Sequence, residues 1–203
     1  MGRDYAPAGP RYHRAMNRLT PPCRLELVLG GARSGKSRYA EARAAAAEAE
    51  GLAVVYVATA EAGDAEMAAR IAHHRARRPS SWALAESPRD MAGTLRKLAA
   101  PDACLLVDCL TLWLSNLLCA AGPEASPDDV NFHSERAALL AALAELPGRI
   151  ILVSNEVGWG IVPLGELSRR FCDEQGWLNQ DIAALADRVT LVAAGLPLAL
   201  KGD

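Results

Sequence analysis

The sequence predicts an α/β fold: one domain built on a mostly parallel sheet with helices on both faces. Three observations predict it. Short, continuous apolar runs recur at residues 25–29, 53–58, 104–108, 149–154 and 189–194, as strands buried on both faces of a parallel sheet require. Helix-forming stretches alternate with these runs. The first run leads directly into Gly30-Gly31-Ala32-Arg33-Ser34-Gly35-Lys36-Ser37 and then into an Ala/Glu/Arg-rich stretch, so that G-x-x-x-x-G-K-[ST] stands between a strand and a helix. That context makes the sheet one of the P-loop NTPase type. The glycines let backbone N–H groups turn toward phosphate oxygens, and the following helix adds the positive end of its dipole. Lys36 then reaches the β- and γ-phosphates, and Ser37 offers a hydroxyl to Mg²⁺.

Composition narrows the function classes. A chain of 203 residues, 51% hydrophobic, holds one good core and is too short for two typical domains with linkers. The expected division is an extension over residues 1–22, rich in Pro, Gly and Arg and disordered or loosely attached, followed by a single domain over residues 23–203. The net charge of −2, with both signs interleaved, calls for neither nucleic acid nor an anionic membrane as partner. Five cysteines without C-x-x-C or zinc spacing, three of them in apolar runs, fit a reduced, cytoplasmic setting. No apolar run reaches the roughly 18 residues of a membrane span, and the amino terminus lacks the apolar core of a signal peptide.

Taken in order, residues 25–29 are the first strand, and the Ala-rich helix over residues 34–50 is stopped by Gly51. AVVYVA, residues 53–58, is the second strand and ends at Thr59. Residues 64–78 read as a helix with an acidic first turn and a basic last turn, ended by Pro79. WALAE, residues 82–86, is a short strand before a helix reaching residues 98–99. The run 104–118 begins as a buried strand and turns helical after Asp108. Residues 122–129 form a polar loop, residues 130–146 a helix, and RIILVS, residues 149–154, the next strand. A Gly-rich loop and an amphipathic helical stretch then lead to VTLVAA, residues 189–194, expected as the last strand. In this stretch Gly176, Asn179 and Gln180 resemble a helix entry.

Three groups of residues could carry chemistry. Asp108 ends an apolar run, the arrangement that sets a carboxylate at a strand end near the P-loop, where it could hold Mg²⁺; otherwise it caps the next helix. His73 and His74 bring imidazoles to a basic stretch of a phosphate-handling protein, and a neutral imidazole can attack phosphorus to form a phosphoramidate. By helical spacing His74 shares an apolar stripe with Met67 and Ile71, while His73 lies beside Ala69, Arg70 and Arg77; spacing alone does not choose between them. Finally, residues 155–163, NEVGWGIVP, follow a strand at the sheet edge where α/β folds bind ligands, and read either as a substrate loop or as a tight turn with a packing Trp159.

The set GGARSGKS, VATAEAGDAEMAARIAHHRARRP, LLVDCLTLWLSNLL, SNEVGWGIVP and FCDEQGWLNQDIAALADRVTLVAAGLPLALK resembles the bifunctional adenosylcobinamide kinase/adenosylcobinamide-phosphate guanylyltransferase family of cobalamin biosynthesis, over residues 25–201. The resemblance implies two reactions. Adenosylcobinamide first takes the γ-phosphoryl of ATP or GTP on the hydroxyl of its aminopropanol arm. Its phosphate then takes GMP from a guanylylated histidine, giving adenosyl-GDP-cobinamide. Carried over by position, Gly30 to Ser37 bind the triphosphate, Ala58, Thr59 and Ala60 lie in the nucleotide site, and His74 is the GMP acceptor. Arg75, Ala76, Arg77, Arg78, Glu86 and Asp108 contact the guanine nucleotide or its metal. The resemblance further implies a homotrimer, with Trp113 or Trp177 as interface or core. Two simpler readings stay open: a single-function P-loop small-molecule kinase, with both histidines structural, and a non-catalytic nucleotide-binding module.

Overall fold

The computed structural model describes residues 23–61, 79–120 and 130–202. Its elements run β1 (Leu25–Gly30), α1 (Lys36–Ala49), β2 (Ala53–Ala58), β3 (Ala83–Glu86), α2 (Met91–Leu98), β4 (Ala103–Asp108), α3 (Leu110–Ala120), α4 (Val130–Glu145), β5 (Arg149–Asn155), α5 (Glu166–Leu185), β6 (Arg188–Ala193) and β7 (Leu196–Lys201). The strands form one seven-stranded sheet in the order β3-β2-β4-β5-β1-β6-β7. All neighbours pair in parallel except β6 and β7, which are antiparallel. The expected α/β architecture is thus the one observed. The helix expected over residues 64–78, which carries His73, His74, Arg75, Ala76, Arg77 and Arg78, lies outside the described residues, as do residues 1–22 and the loop expected around residues 122–129.

β1 is buried at all six positions, and its side chains divide between the faces. Leu25, Leu27 and Leu29 join the larger core with Trp113, Phe132, Leu178 and Ile182 from three of the helices on that side. Val28 joins the other core with Ala40, Ala44 and Ala47 of α1. Those three alanines recur at i, i+4 and i+7, so α1 lays a stripe of methyl groups on the sheet and comes close to it.

Glu26 points to the same side as Val28 and is buried, which a carboxylate tolerates only when paired. Arg43 Nε of α1 donates to it at 2.8 Å and Tyr39 Oη at 3.3 Å. Burial works against the Arg43 charge, yet the charge and hydrogen bond of Glu26 outweigh it and hold the guanidinium above its ordinary pKa. This pair fastens the helix that follows the phosphate-binding loop to the strand that precedes it.

Three expectations need correction. Residues 189–194 are not the last strand: β6 is followed by β7, joined by Ala194 and Gly195 with φ of 52° and 79°. Two positive φ values in a two-residue connection are the backbone of a tight hairpin. Gly176, Asn179 and Gln180 do not enter a helix but lie well inside the 20-residue α5. The helix after the P-loop begins at Lys36 rather than at Ser34, because Gly35 takes a left-handed conformation at its N-cap. Among the described residues no helix is long and apolar enough to cross a membrane.

The Glu26–Arg43 pair makes a stability prediction. Arg43→Ala strands a buried carboxylate and should lower the unfolding free energy by about 3 kcal/mol, read from the urea midpoint at constant m-value. Replacing both partners with leucine should cost less than that single change.

Candidate nucleotide site

Parallel pairing sets the carboxyl ends of the central strands level. Gly30 pairs with Asn155, Asp108 with Val153, and Ala58 with both Asp108 and Glu86. Every described residue that the sequence singles out for chemistry therefore lies on one edge of the sheet or just beyond it.

The loop from Gly30 to Ser37 is shaped by its own backbone. A Cβ on Gly30 would come within 2.5 Å of both Ser34 Oγ and the Val192 carbonyl, so that position admits no side chain. Arg33 adopts φ 57° and Gly35 φ 97°, and Ser34 N–H donates to the Gly31 carbonyl at 3.2 Å. The loop is also held from outside: Gly195 N–H, in the β6–β7 turn, donates to the Ser34 carbonyl at 2.8 Å. No side chain caps α1, which leaves its leading N–H groups to an anion. Lys36 Nζ donates to the Gly31 carbonyl at 3.2 Å, which keeps the ammonium over the loop. Gly31, Ala32 and Arg33 are exposed, and Lys36 and Ser37 half-buried, as a cradle open to solvent should be.

Asp108 stands two strands from β1, about 10 Å at the usual strand spacing. Tyr56 Oη donates to its Oδ2 at 3.1 Å, orienting the carboxylate at the strand end. Ser37 and Asp108 together offer only oxygen donors, the set a hard, phosphate-bound Mg²⁺ takes, with the remaining positions left to phosphate and water. The residues present fit that ion. Next in the chain, Cys109 is buried, and burial first and the charge of Asp108 second push its thiol up to about 11. It is a poor nucleophile despite its place at the edge.

Thr59 is fully buried, and its hydroxyl is spent on the backbone. Oγ1 donates to the Cys109 carbonyl and accepts from the Cys109 N–H, both at 2.8 Å. It ties the end of β2 to the end of β4, so it can shape the nucleotide site only through the backbone of Ala58, Thr59 and Ala60. Asn116 of α3 reinforces the tie by donating to the Thr59 carbonyl at 2.8 Å and to the Pro88 carbonyl at 3.1 Å. Glu86 is on the same edge but on β3, four strands from β1, roughly 19 Å by strand spacing. Asp108 thus lies two strands from the loop on the same edge, and Glu86 at the far end.

A second polar cluster, which sequence reasoning did not assemble, lies beside the loop. Ser154, Gln175 and Asn179 are buried. Asn179 Oδ1 accepts from Ser154 Oγ at 2.7 Å and from Gln175 Nε2 at 3.0 Å. Its amide nitrogen donates to the Asn155 carbonyl at 3.1 Å and to Glu156 Oε1 at 3.3 Å. The signal available was a pair of amides inside an amphipathic helix, with no means of knowing which strand end they would meet.

Beyond Glu156 the segment NEVGWGIVP stands out from the sheet. Trp159 is 73% exposed, Ile161 97% and Leu164 97%. Trp159 therefore packs little against the described residues, which speaks against the reading of a tight turn with a packing Trp. Of the other tryptophans, Trp113 is fully buried and its Nε1 donates to the Arg89 carbonyl at 2.7 Å, whereas Trp177 is half exposed.

Comparison with known proteins agrees with the motif reading. The profile of the CobU family, described as cobinamide kinase / cobinamide phosphate guanyltransferase, matches residues 26–200. The chain is 60% identical to the bifunctional adenosylcobalamin biosynthesis protein CobP of Pseudomonas aeruginosa over 178 residues, covering 88% of this chain and 98% of the relative. It is 44% identical over 182 residues to the protein of the same description, CobU, of Salmonella typhimurium, and 40% identical over 182 residues to that of Escherichia coli, in each case covering 86% of this chain and 98% of the relative. With a P-loop at the carboxyl edge of a parallel sheet, and these matches running nearly its whole length, the chain belongs to the cobinamide kinase / cobinamide phosphate guanyltransferase family.

Proposed function

We propose that this chain is a bifunctional enzyme of cobalamin biosynthesis, active as adenosylcobinamide kinase and adenosylcobinamide-phosphate guanylyltransferase. The observation that carries the proposal is the loop: a pre-shaped phosphate cradle with Lys36 over it, in a chain that matches both activities by family. In the kinase step the aminopropanol hydroxyl takes the γ-phosphoryl of ATP or GTP. In the transferase step His74 attacks the α-phosphorus of GTP, pyrophosphate leaves, and the phosphate of the first product then displaces the histidine to form adenosyl-GDP-cobinamide.

Gly30, Gly31, Ala32, Arg33, Ser34, Gly35, Lys36 and Ser37 hold the triphosphate in both steps. Ser37 and Asp108 hold Mg²⁺, which when bound offsets phosphate charge. Ala58, Thr59, Ala60, Glu86 and Arg75 to Arg78 serve the guanine nucleotide. The 19 Å or so between the loop and Glu86 favours an extended nucleotide lying along the strand ends. The exposed Trp159, Ile161, Val162 and Leu164 favour an apolar wall for the corrin ring. Residues 23–203 form the catalytic unit, working in the cytoplasm. A homotrimer is favoured by Trp177 and by Leu196, Leu198 and Leu200 on the outermost strand, apolar surface that a lone chain leaves in water.

Three outcomes test this. Incubation with α-labelled GTP should leave label on the denatured protein that survives base and is lost in acid, and His74→Ala should carry none. Lys36→Ala should slow phosphorylation of adenosylcobinamide by roughly 100-fold or more, since it removes a fixed charge at the transferring group. Light scattering should give three times the mass of the chain; a monomer would remove the trimer.

A further inference from the structure

Four carboxylates stand at or just beyond the carboxyl edge among the described residues, and three of them are accounted for. Asp108 is oriented by Tyr56. Glu61 pairs with Arg89 at 3.4 Å. Glu86 lies four strands from β1. The fourth, Glu156, is beside the loop itself: its backbone N–H donates to the Gly30 carbonyl at 3.3 Å, one residue beyond the Gly30–Asn155 pair.

Among the described residues its side chain is held by a hydrogen bond and not by an ion pair. Asn179 Oδ1 already accepts two hydrogen bonds, so the amide nitrogen must face the strand end, and there it donates to Glu156 Oε1 at 3.3 Å. No guanidinium or ammonium pairs with Glu156 among the described residues. A carboxylate in an ion pair is committed, whereas one steadied by a neutral amide keeps an oxygen for an incoming donor. Glu156 also lines a cavity of about 350 Å³ with Leu29, Asn179, Gln180, Val189 and Leu200, within the size range of small-molecule sites.

We propose that Glu156, steadied by Asn179 at the first residue of the P-loop, accepts the proton of the acceptor hydroxyl in the kinase step. The inference rests on the kinase reading above and adds the acceptor side of that reaction. The hydroxyl oxygen forms a bond to the γ-phosphorus, and the bond from that phosphorus to the β–γ bridging oxygen breaks. The nucleoside diphosphate leaves with the electron pair, and the proton passes to Oε2 of Glu156 and from there to solvent. Asn179 is a positioning residue, acting through the carboxylate it holds.

The test measures cobinamide phosphorylation by the full chain with ATP, for wild type, Glu156→Asp and Glu156→Ala, each with and without formate. Glu156→Ala should lose roughly 100-fold in kcat with little change in KM for ATP, as loss of a proton acceptor does. Formate should restore part of that rate to Glu156→Ala and leave wild type unchanged, and Glu156→Asp should fall between the two. A Glu156→Ala rate within about twofold of wild type would overturn the proposal. So would a loss that formate does not relieve, which is how a purely structural residue behaves. If wild type itself fails to phosphorylate cobinamide, the kinase reading falls and the proposal with it.

Discussion

The parallel hydrogen-bond ladder between β1 and β5, running in register from Leu25 opposite Ile150 to Gly30 opposite Asn155, is the constraint on which the site depends. It fixes where the P-loop leaves the sheet and, on the neighbouring strand, where Glu156 does. A slip of one residue would turn Glu26 from its arginine into the larger core and Leu25, Leu27 and Leu29 out of it. The register is therefore held by burial on both faces rather than by the loop. Two further ties keep the loop in place: Glu26 to Arg43 on one side, and Gly195 to Ser34 on the other. The second is unusual in its origin, since the turn that supports the phosphate cradle belongs to the last hairpin of the chain.

Along the edge that this ladder defines, the chemistry is spread out rather than gathered. The loop lies at one end, Asp108 two strands away, and the ends of β2 and β3 beyond it. Asp108 stands midway between the two ends, its carboxylate oriented by Tyr56 and followed in the chain by the buried, inert Cys109 thiol. Such a layout suits the proposed function, in which different phosphorus atoms of one triphosphate meet different attacking groups. In the proposed reading the acceptor hydroxyl approaches from the side of Glu156, next to the loop, and the guanine end of the nucleotide extends toward Glu86.

Much of this was legible in the sequence because parallel strands are written as unbroken apolar runs and the P-loop as a fixed spacing of glycines. β7 was not. LPLALK has a proline, faces solvent at all six positions and follows an Ala-Gly turn rather than the stronger Asn-Gly signal. It is an edge strand that owes its existence to β6. Gly176, Asn179 and Gln180 resemble a helix entry in the sequence, yet α5 runs through all three, carried by burial of Leu178 and Ile182. The Thr59 hydroxyl, at the end of an apolar run, bonds the Cys109 backbone, a partner 50 residues away that no local pattern names. The Asn179–Glu156 bond spans 23 residues and two elements, and no local pattern encodes it.

The central claim is that one phosphate cradle, Gly30 to Ser37, serves both reactions. Calorimetric titration of the intact protein with GTP, alone and after saturation with a non-hydrolysable ATP analogue, tests it most directly. One nucleotide per chain, with GTP binding suppressed by the analogue, is the expected result. Two independent sites per chain, with GTP binding undiminished when the analogue is bound, would contradict it.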